Sequence, residues 1–404
     1  MAGNAWDVIV VGARCAGAPL AMVLAARGHR VLLVDRSTFP SDTVSTHVIH
    51  PPGVAALRDW GLLDRVAASG CPPIGTYAFD FGEVRLAGAP GTADSPVAYA
   101  PRRRILDELL IEAAAAAGAQ VRTAFTVDEL LFADDGRVVG VRGHDRGGAP
   151  VDEHARVVVG ADGVHSLVAQ RVAAPATHER APMTVGYYSY WSGLEMHGRF
   201  EAYARPGRGF AAAPTNDGLT LVIGGWPHAE FAANRGDVEG HLSKAFDMAP
   251  EFAERIRAAT REERIVGAGV PGYLRKPYGP GWALVGDAGY TRDFITAQGI
   301  SDAFRDAQLC ADALHAALTG ERDTEAALAG YHADRDRAVL PMYELTAQLA
   351  ALEPPPPPLA QLLAAMQGNQ AAMDAFARLN AGVTPAPEFF AEDNVARIFA
   401  AAGG

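Results

Sequence analysis

The run Asp7-Val8-Ile9-Val10-Val11-Gly12-Ala13-Arg14-Cys15-Ala16-Gly17, followed closely by Val31-Leu32-Leu33-Val34-Asp35, decides how the rest of the chain is read. Residues 7–12 are almost continuously apolar, the pattern of a strand buried on both faces in a parallel sheet. A helical stretch runs to about Arg27, Gly28 supplies its stop, and residues 31–35 form a second apolar strand ending on an acid. Strand, glycine turn, helix, strand and terminal carboxylate within about 30 residues make a βαβ unit. In such a unit the glycines allow a tight turn, and the helix N-terminus faces a pyrophosphate. Asp35 is placed to accept hydrogen bonds from a ribose. The middle glycine of the usual motif is Arg14 here. It reads as a phosphate contact, with a solvent-facing side chain as the alternative.

Working outward, a helix is expected over residues 103–117, ended by Gly118, and strands over 121–131, 138–142 and 157–160. From about Ala173 to Gly269 the character changes to alternating, aromatic-rich segments that suggest an antiparallel sheet, followed by one helix over 238–260. Residues 282–286 resume the buried-strand pattern and lead into a long helix from near Gly299. The five prolines 354–358 read as a stiff extended spacer between further helices. The expected fold is α/β. A discontinuous Rossmann-like domain (1–73, 98–172 and 270–340) is joined to an antiparallel-sheet substrate domain (74–97 and 173–269) and a helical region (341–404).

The composition narrows the function. With 404 residues, 49% hydrophobic and 20% charged, the chain suits two or three domains. A net charge of −12 argues against a nucleic-acid partner. No apolar run approaches the ~20 residues that cross a bilayer, and the N-terminus lacks the basic start of a signal peptide; a cytoplasmic location is expected. Cys15, Cys71 and Cys310 have neither disulfide-framework nor metal-ligand spacing.

Two later motifs also sit at expected strand ends. One is Gly160-Ala161-Asp162-Gly163-Val164-His165-Ser166; the other is Gly286-Asp287-Ala288-Gly289, followed by Thr296-Ala297-Gln298-Gly299-Ile300 opening a helix. A carboxylate at a strand end can bind a polyol. A helix N-terminus offers free N–H groups and partial positive charge to a reduced, anionic ring. Each motif alone could be an Asp-Gly turn, but the ordered set is specific.

On these three motifs the chain resembles the FAD-dependent oxidoreductases of the para-hydroxybenzoate hydroxylase type, related to geranylgeranyl reductases and flavin-dependent halogenases. The resemblance spans roughly residues 5 to 340. It implies that Gly12, Ala13, Arg14, Cys15, Ala16 and Gly17 bind the pyrophosphate of FAD, and Asp35 and Arg36 the adenosine end. Arg103, in Arg-x-x-Leu-x-x-x-Leu, would contact the flavin, and Val127 would offer a backbone contact near adenine. Asp162 and Gly163 would serve FAD and NAD(P)H, while Gly286, Asp287, Gln298, Gly299 and Ile300 would hold ribitol and isoalloxazine. Phe294 stands where a proline usually follows the acid matched by Asp293.

The resemblance implies a monooxygenase: NAD(P)H reduces FAD, O2 is captured as a flavin hydroperoxide, and one oxygen passes to an aromatic or polycyclic apolar small molecule. A carbon–carbon double-bond reductase is the alternative. A halogenase would need a lysine near the substrate, and the only lysines are Lys244 and Lys276. For acid–base help the candidates are His47 and His50, against the reading that each contacts FAD or is satisfied by backbone. Tyr188, Tyr190, Phe210 and Trp226 are the candidate substrate contacts, although alternation lets only about half of such strand aromatics face one pocket. A monomer or homodimer is expected.

Overall fold

The computed structural model describes residues 6–402. Its first sheet is built on five parallel strands in the order Trp282–Leu284, Val151–Gly160, Trp6–Val11, Val31–Val34 and Gln120–Arg122. Trp6–Val11 is central, with Val8 to Val10 fully buried, as a strand covered on both faces must be. The helices Gly17–Ala26, Arg103–Ala116 and Gly299–Thr319 pack on one face. The antiparallel strands Phe125–Phe132 and Val138–Asp145 close the other. One strand was expected over 121–131; the chain instead breaks at Ala124, where φ is +56°, and changes partner.

The second sheet runs Thr184–Ser192, Thr220–Pro227, Arg208–Pro214, Arg199–Arg205, Thr76–Asp80 and Arg85–Gly88. Thr76–Asp80 joins Arg199–Arg205 in parallel, so a hairpin distant in sequence completes this sheet. The helix expected over 238–260 is two, Val238–Asp247 and Pro250–Ala258, because Pro250 starts a new helix. Both pack on one face of the sheet, against Val185, Tyr187, Phe210, Val222 and Trp226.

Residues Thr324–Ala350 form a long helix that crosses Pro341, and Pro357 starts the helix Pro357–Met366. The proline run is thus a spacer only in its first part. Helix Gln370–Asn380 seats on the strand Arg85–Gly88, where Gly88 is needed because a Cβ would lie 2.3 Å from the Met373 carbonyl oxygen. Among the described residues no helix is long and apolar enough to cross a membrane.

Candidate active site

The three strand-end motifs converge on one cavity of about 710 Å³ between the two sheets. From the first sheet's strand ends and turns its lining takes Val34, Asp35, Arg36, Val127, Gly12, Arg14, Cys15, Ala16, Arg103, Asp162, Gly163, Gly286 and Asp287. The helix opening at Gln298, Gly299 and Ile300 also lines it, as do Gly186, Tyr188, Ile223, Val270 and Phe294.

The first turn is held by close approach. Gly12 has φ +104°, and a Cβ there would lie 2.3 Å from the Ala161 carbonyl oxygen; a Cβ on Gly17 would fall 1.8 Å from the Gly12 carbonyl oxygen. Ala13 is buried and, like Gly17, serves the turn's packing and does not line the cavity. Asp35 accepts hydrogen bonds from Ala13 N (2.8 Å) and Ser37 N (2.7 Å), tying the second strand's end to the turn. No side chain caps helix Gly17–Ala26 or helix Gly299–Thr319. In the first, Ala18 N already donates to the Arg14 carbonyl (3.0 Å) and Pro19 has no N–H, so it is chiefly the end at Gly299 that leaves N–H groups for a ligand.

Arg14 reaches Asp107, a partner that the sequence reading missed. Its Nη1 donates to Asp107 Oδ2 and to the Ser41 carbonyl (3.3 Å), and Nη2 to Ser41 Oγ (3.0 Å). Arg103 meets the same carboxylate through Nε (3.1 Å) and Nη2 (2.9 Å), four residues away on one helix face. Burial is the largest single influence and works against the Arg103 charge, but Asp107 with its hydrogen bonds, together with Cys15 and Asp287, outweighs it and pushes the pKa up. The spacing Arg103-x-x-x-Asp107 was the available signal.

Asp162 accepts from Leu167 N (2.7 Å) and Val168 N (3.2 Å), while its buried Oδ1 has no partner among the described residues. Burial raises its pKa. Asp287 opens onto the cavity although protein surrounds it. Burial lifts its pKa to about 6, against the pull of Arg103 and with help from Asp302 and Asp306.

The two histidines lie behind the cavity wall. His47 is fully buried at φ +64°, with Nδ1 2.8 Å from the Ser45 carbonyl and Nε2 2.7 Å from the Tyr190 hydroxyl. A carbonyl only accepts, so Nδ1 carries the proton and Nε2 receives the Tyr190 O–H. His50 is the mirror case: Nε2 donates to the Thr296 carbonyl (3.1 Å), and Nδ1 accepts from Tyr77 (2.7 Å). Burial lowers both pKa values to about 4, so both rings are neutral near pH 7.

Alternation sorts the four expected substrate contacts. Tyr188 lines the cavity, and Tyr190, two residues on, lies on the same face but is engaged by His47 and by Arg102, whose guanidinium sits 4.3 Å over its ring. Phe210 and Trp226 differ from expectation: they are on the opposite face, sealed beneath the helices with Phe246 and Phe252. Their place is core packing. Phe294, noted only as a departure, turns out to line the cavity, over Gly186.

The cavity fits FAD on its own terms. It pairs a glycine turn and a helix end free of side-chain caps, suited to phosphate and ring, with the strand-end carboxylates Asp35 and Asp287, suited to sugar hydroxyls, and it leaves the buried Asp162 Oδ1 unpartnered among the described residues. Comparison with known proteins agrees: a family described as "FAD binding domain" matches residues 5–345. The chain belongs to this family. It is therefore an FAD-dependent oxidoreductase, with the fold expected of the para-hydroxybenzoate hydroxylase type. Digeranylgeranylglycerophospholipid reductase 2 of Methanopyrus kandleri is 27% identical over 343 residues, covering 82% of this chain and 82% of its own. The myxobacterial chondrochloren halogenase CndH shares the fold at TM-score 0.81 and 24% identity, with 99% of this chain and 97% of that chain covered. So does PqsL of P. aeruginosa in complex with 2-aminobenzoylacetate, at TM-score 0.76 and 24% identity, with 87% and 97% covered.

Proposed function

We propose that this family member is a monooxygenase that uses NAD(P)H and O2 to hydroxylate or epoxidise an aromatic or polycyclic apolar small molecule. The lining of the cavity supports this reading: with Gln298, Gly299 and Ile300 it includes Tyr188, Ile223, Val270 and Phe294, side chains that suit a flat, apolar substrate. FAD supplies redox chemistry and oxygen activation when bound. The chain's own share is to hold the substrate at this wall and keep water from the reacting atoms. Neutral, hydrogen-bonded His47 and His50 fit a supporting role, fixing residues 41–47 and the Thr296 loop, better than proton transfer.

The second reading, reduction of a carbon–carbon double bond, draws on the similarity to the M. kandleri reductase. Halogenation is the weaker one: Lys244 lies on the helix Val238–Asp247 that covers the far face of the second sheet, and Lys276 stacks on Tyr278. Neither lines the cavity.

The test mixes enzyme, NAD(P)H and a candidate aromatic under air and without it. Oxygen uptake matched by a hydroxylated product supports the monooxygenase. Anaerobic reoxidation of the reduced enzyme by a polyprenyl substrate, with a saturated product, would replace it with the reductase.

A further inference from the structure

Arg14 occupies the position where the usual turn has a glycine, and the simplest role for it there is to meet a pyrophosphate. The geometry points elsewhere. Both terminal nitrogens are committed, Nη1 to Asp107 and the Ser41 carbonyl and Nη2 to Ser41 Oγ, and the guanidinium lies 5.1 Å over the Phe39 ring. Asp107 is fully buried and gathers Arg14, both nitrogens of Arg103 and the thiol of Cys15. One carboxylate between two guanidinium groups leaves this cluster one positive charge in excess, facing Asp287 across the cavity wall. A buried carboxylate with Arg103 alone would leave none. Ser41 begins the segment 41–47, of which Thr43 to Thr46 line the same cavity.

We propose that Arg14 is a positioning residue: through Asp107 it fixes Arg103 at the cavity wall, and through Ser41 it fixes the segment 41–47. Its loss is therefore felt at the flavin ring and not at the pyrophosphate. The proposal rests on FAD as the cofactor. Removing Arg14 takes one positive charge from this wall, which disfavours the reduced, anionic flavin and makes it harder to form.

The experiment compares wild type, Arg14→Gly and Arg14→Lys as apoprotein and after loading with FAD. Affinity is measured for FAD and for ADP, which carries only the adenosine and pyrophosphate half, and the flavin midpoint potential is measured against a reference dye. In Arg14→Gly, FAD affinity falls by at least about tenfold, because a buried carboxylate loses one of its partners. ADP affinity stays within about twofold, and the midpoint potential becomes more negative. Arg14→Lys keeps the charge but not the planar fork, so its FAD affinity lies between the two while its potential stays near wild type. Parallel loss of FAD and ADP affinity at unchanged potential would make Arg14 a phosphate ligand and overturn the proposal, as would no change in either. If Arg14→Gly does not fold, Arg14→Lys decides: an FAD loss without an ADP loss supports the proposal, and equal losses or none refute it. Wild-type protein that takes up no FAD would overturn the cofactor itself, before any variant is made.

Discussion

The hydroxyl of Tyr190 donates to Nε2 of His47 at 2.7 Å, which makes one expected substrate contact the partner of one expected acid–base residue. The pair links the inserted sheet to the segment 41–47 along the cavity. Tyr190→Phe leaves a buried nitrogen lone pair unmatched, and we expect a loss of about 1–3 kcal/mol in urea unfolding. His47→Ala should lower turnover more than FAD content, since it loosens a cavity wall and leaves the phosphate turn intact. Normal turnover in that variant would show that the segment needs no such anchor.

Acid should destabilise the protein through its histidines. Both His47 and His50 have folded pKa values near 4, below the ordinary 6.5, so the unfolded chain binds more protons between these limits. Their contribution is whole above pH 6.5 and is lost as pH falls towards 4, on the order of 3 kcal/mol for each. Asp287, raised to about 6, works the other way in FAD-free protein, so the readout is a difference. Unfolding free energy for His50→Gln should vary less steeply with pH than for wild type across this window. Identical slopes would mean that His50 is not held neutral.

Gly186 leaves room for the Phe294 ring: a Cβ there would lie 2.4 Å from its Cζ. Gly186→Ala should push Phe294 and reshape the apolar wall, costing about 1–3 kcal/mol of stability. Substrate KM should change while FAD content stays near wild type. An unchanged KM would remove Phe294 from the substrate wall.

Phe210→Ala should do the reverse. The ring is packed among Tyr203, Phe246 and Phe252 on the helix-covered face, so truncation costs about 3–5 kcal/mol. At a temperature where the variant is folded, KM should match wild type; a large rise in KM would return Phe210 to the substrate site.

The dinucleotide fold was legible because its signals are local. Gly12, Asp35, Asp162 and Asp287 each end a strand, and a strand's end is marked by where its apolar run stops. The faces of the inserted sheet were not legible. Tyr190 and Phe210 both read as strand aromatics, and only the helices on one side decide that Phe210 is core. Asp107 was hidden for another reason: its partner Arg14 is far away in sequence, and nothing local marks a helix carboxylate as shared. Phe294 was noticed as a missing proline, but its contact with Gly186 joins two positions far apart in sequence.

The most direct test of the account is titration of apoprotein with FAD, FMN and ADP. The cavity is lined by Asp35 and Val127 as well as by Asp287, Gly299 and Tyr188, so it should recognise the whole dinucleotide. Saturable binding of one FAD per chain is expected, with competition by ADP, much weaker binding of FMN, and loss of FAD affinity in Asp287→Ala with the fold intact. FMN binding as tightly as FAD, or FAD binding indifferent to Asp287, would contradict it.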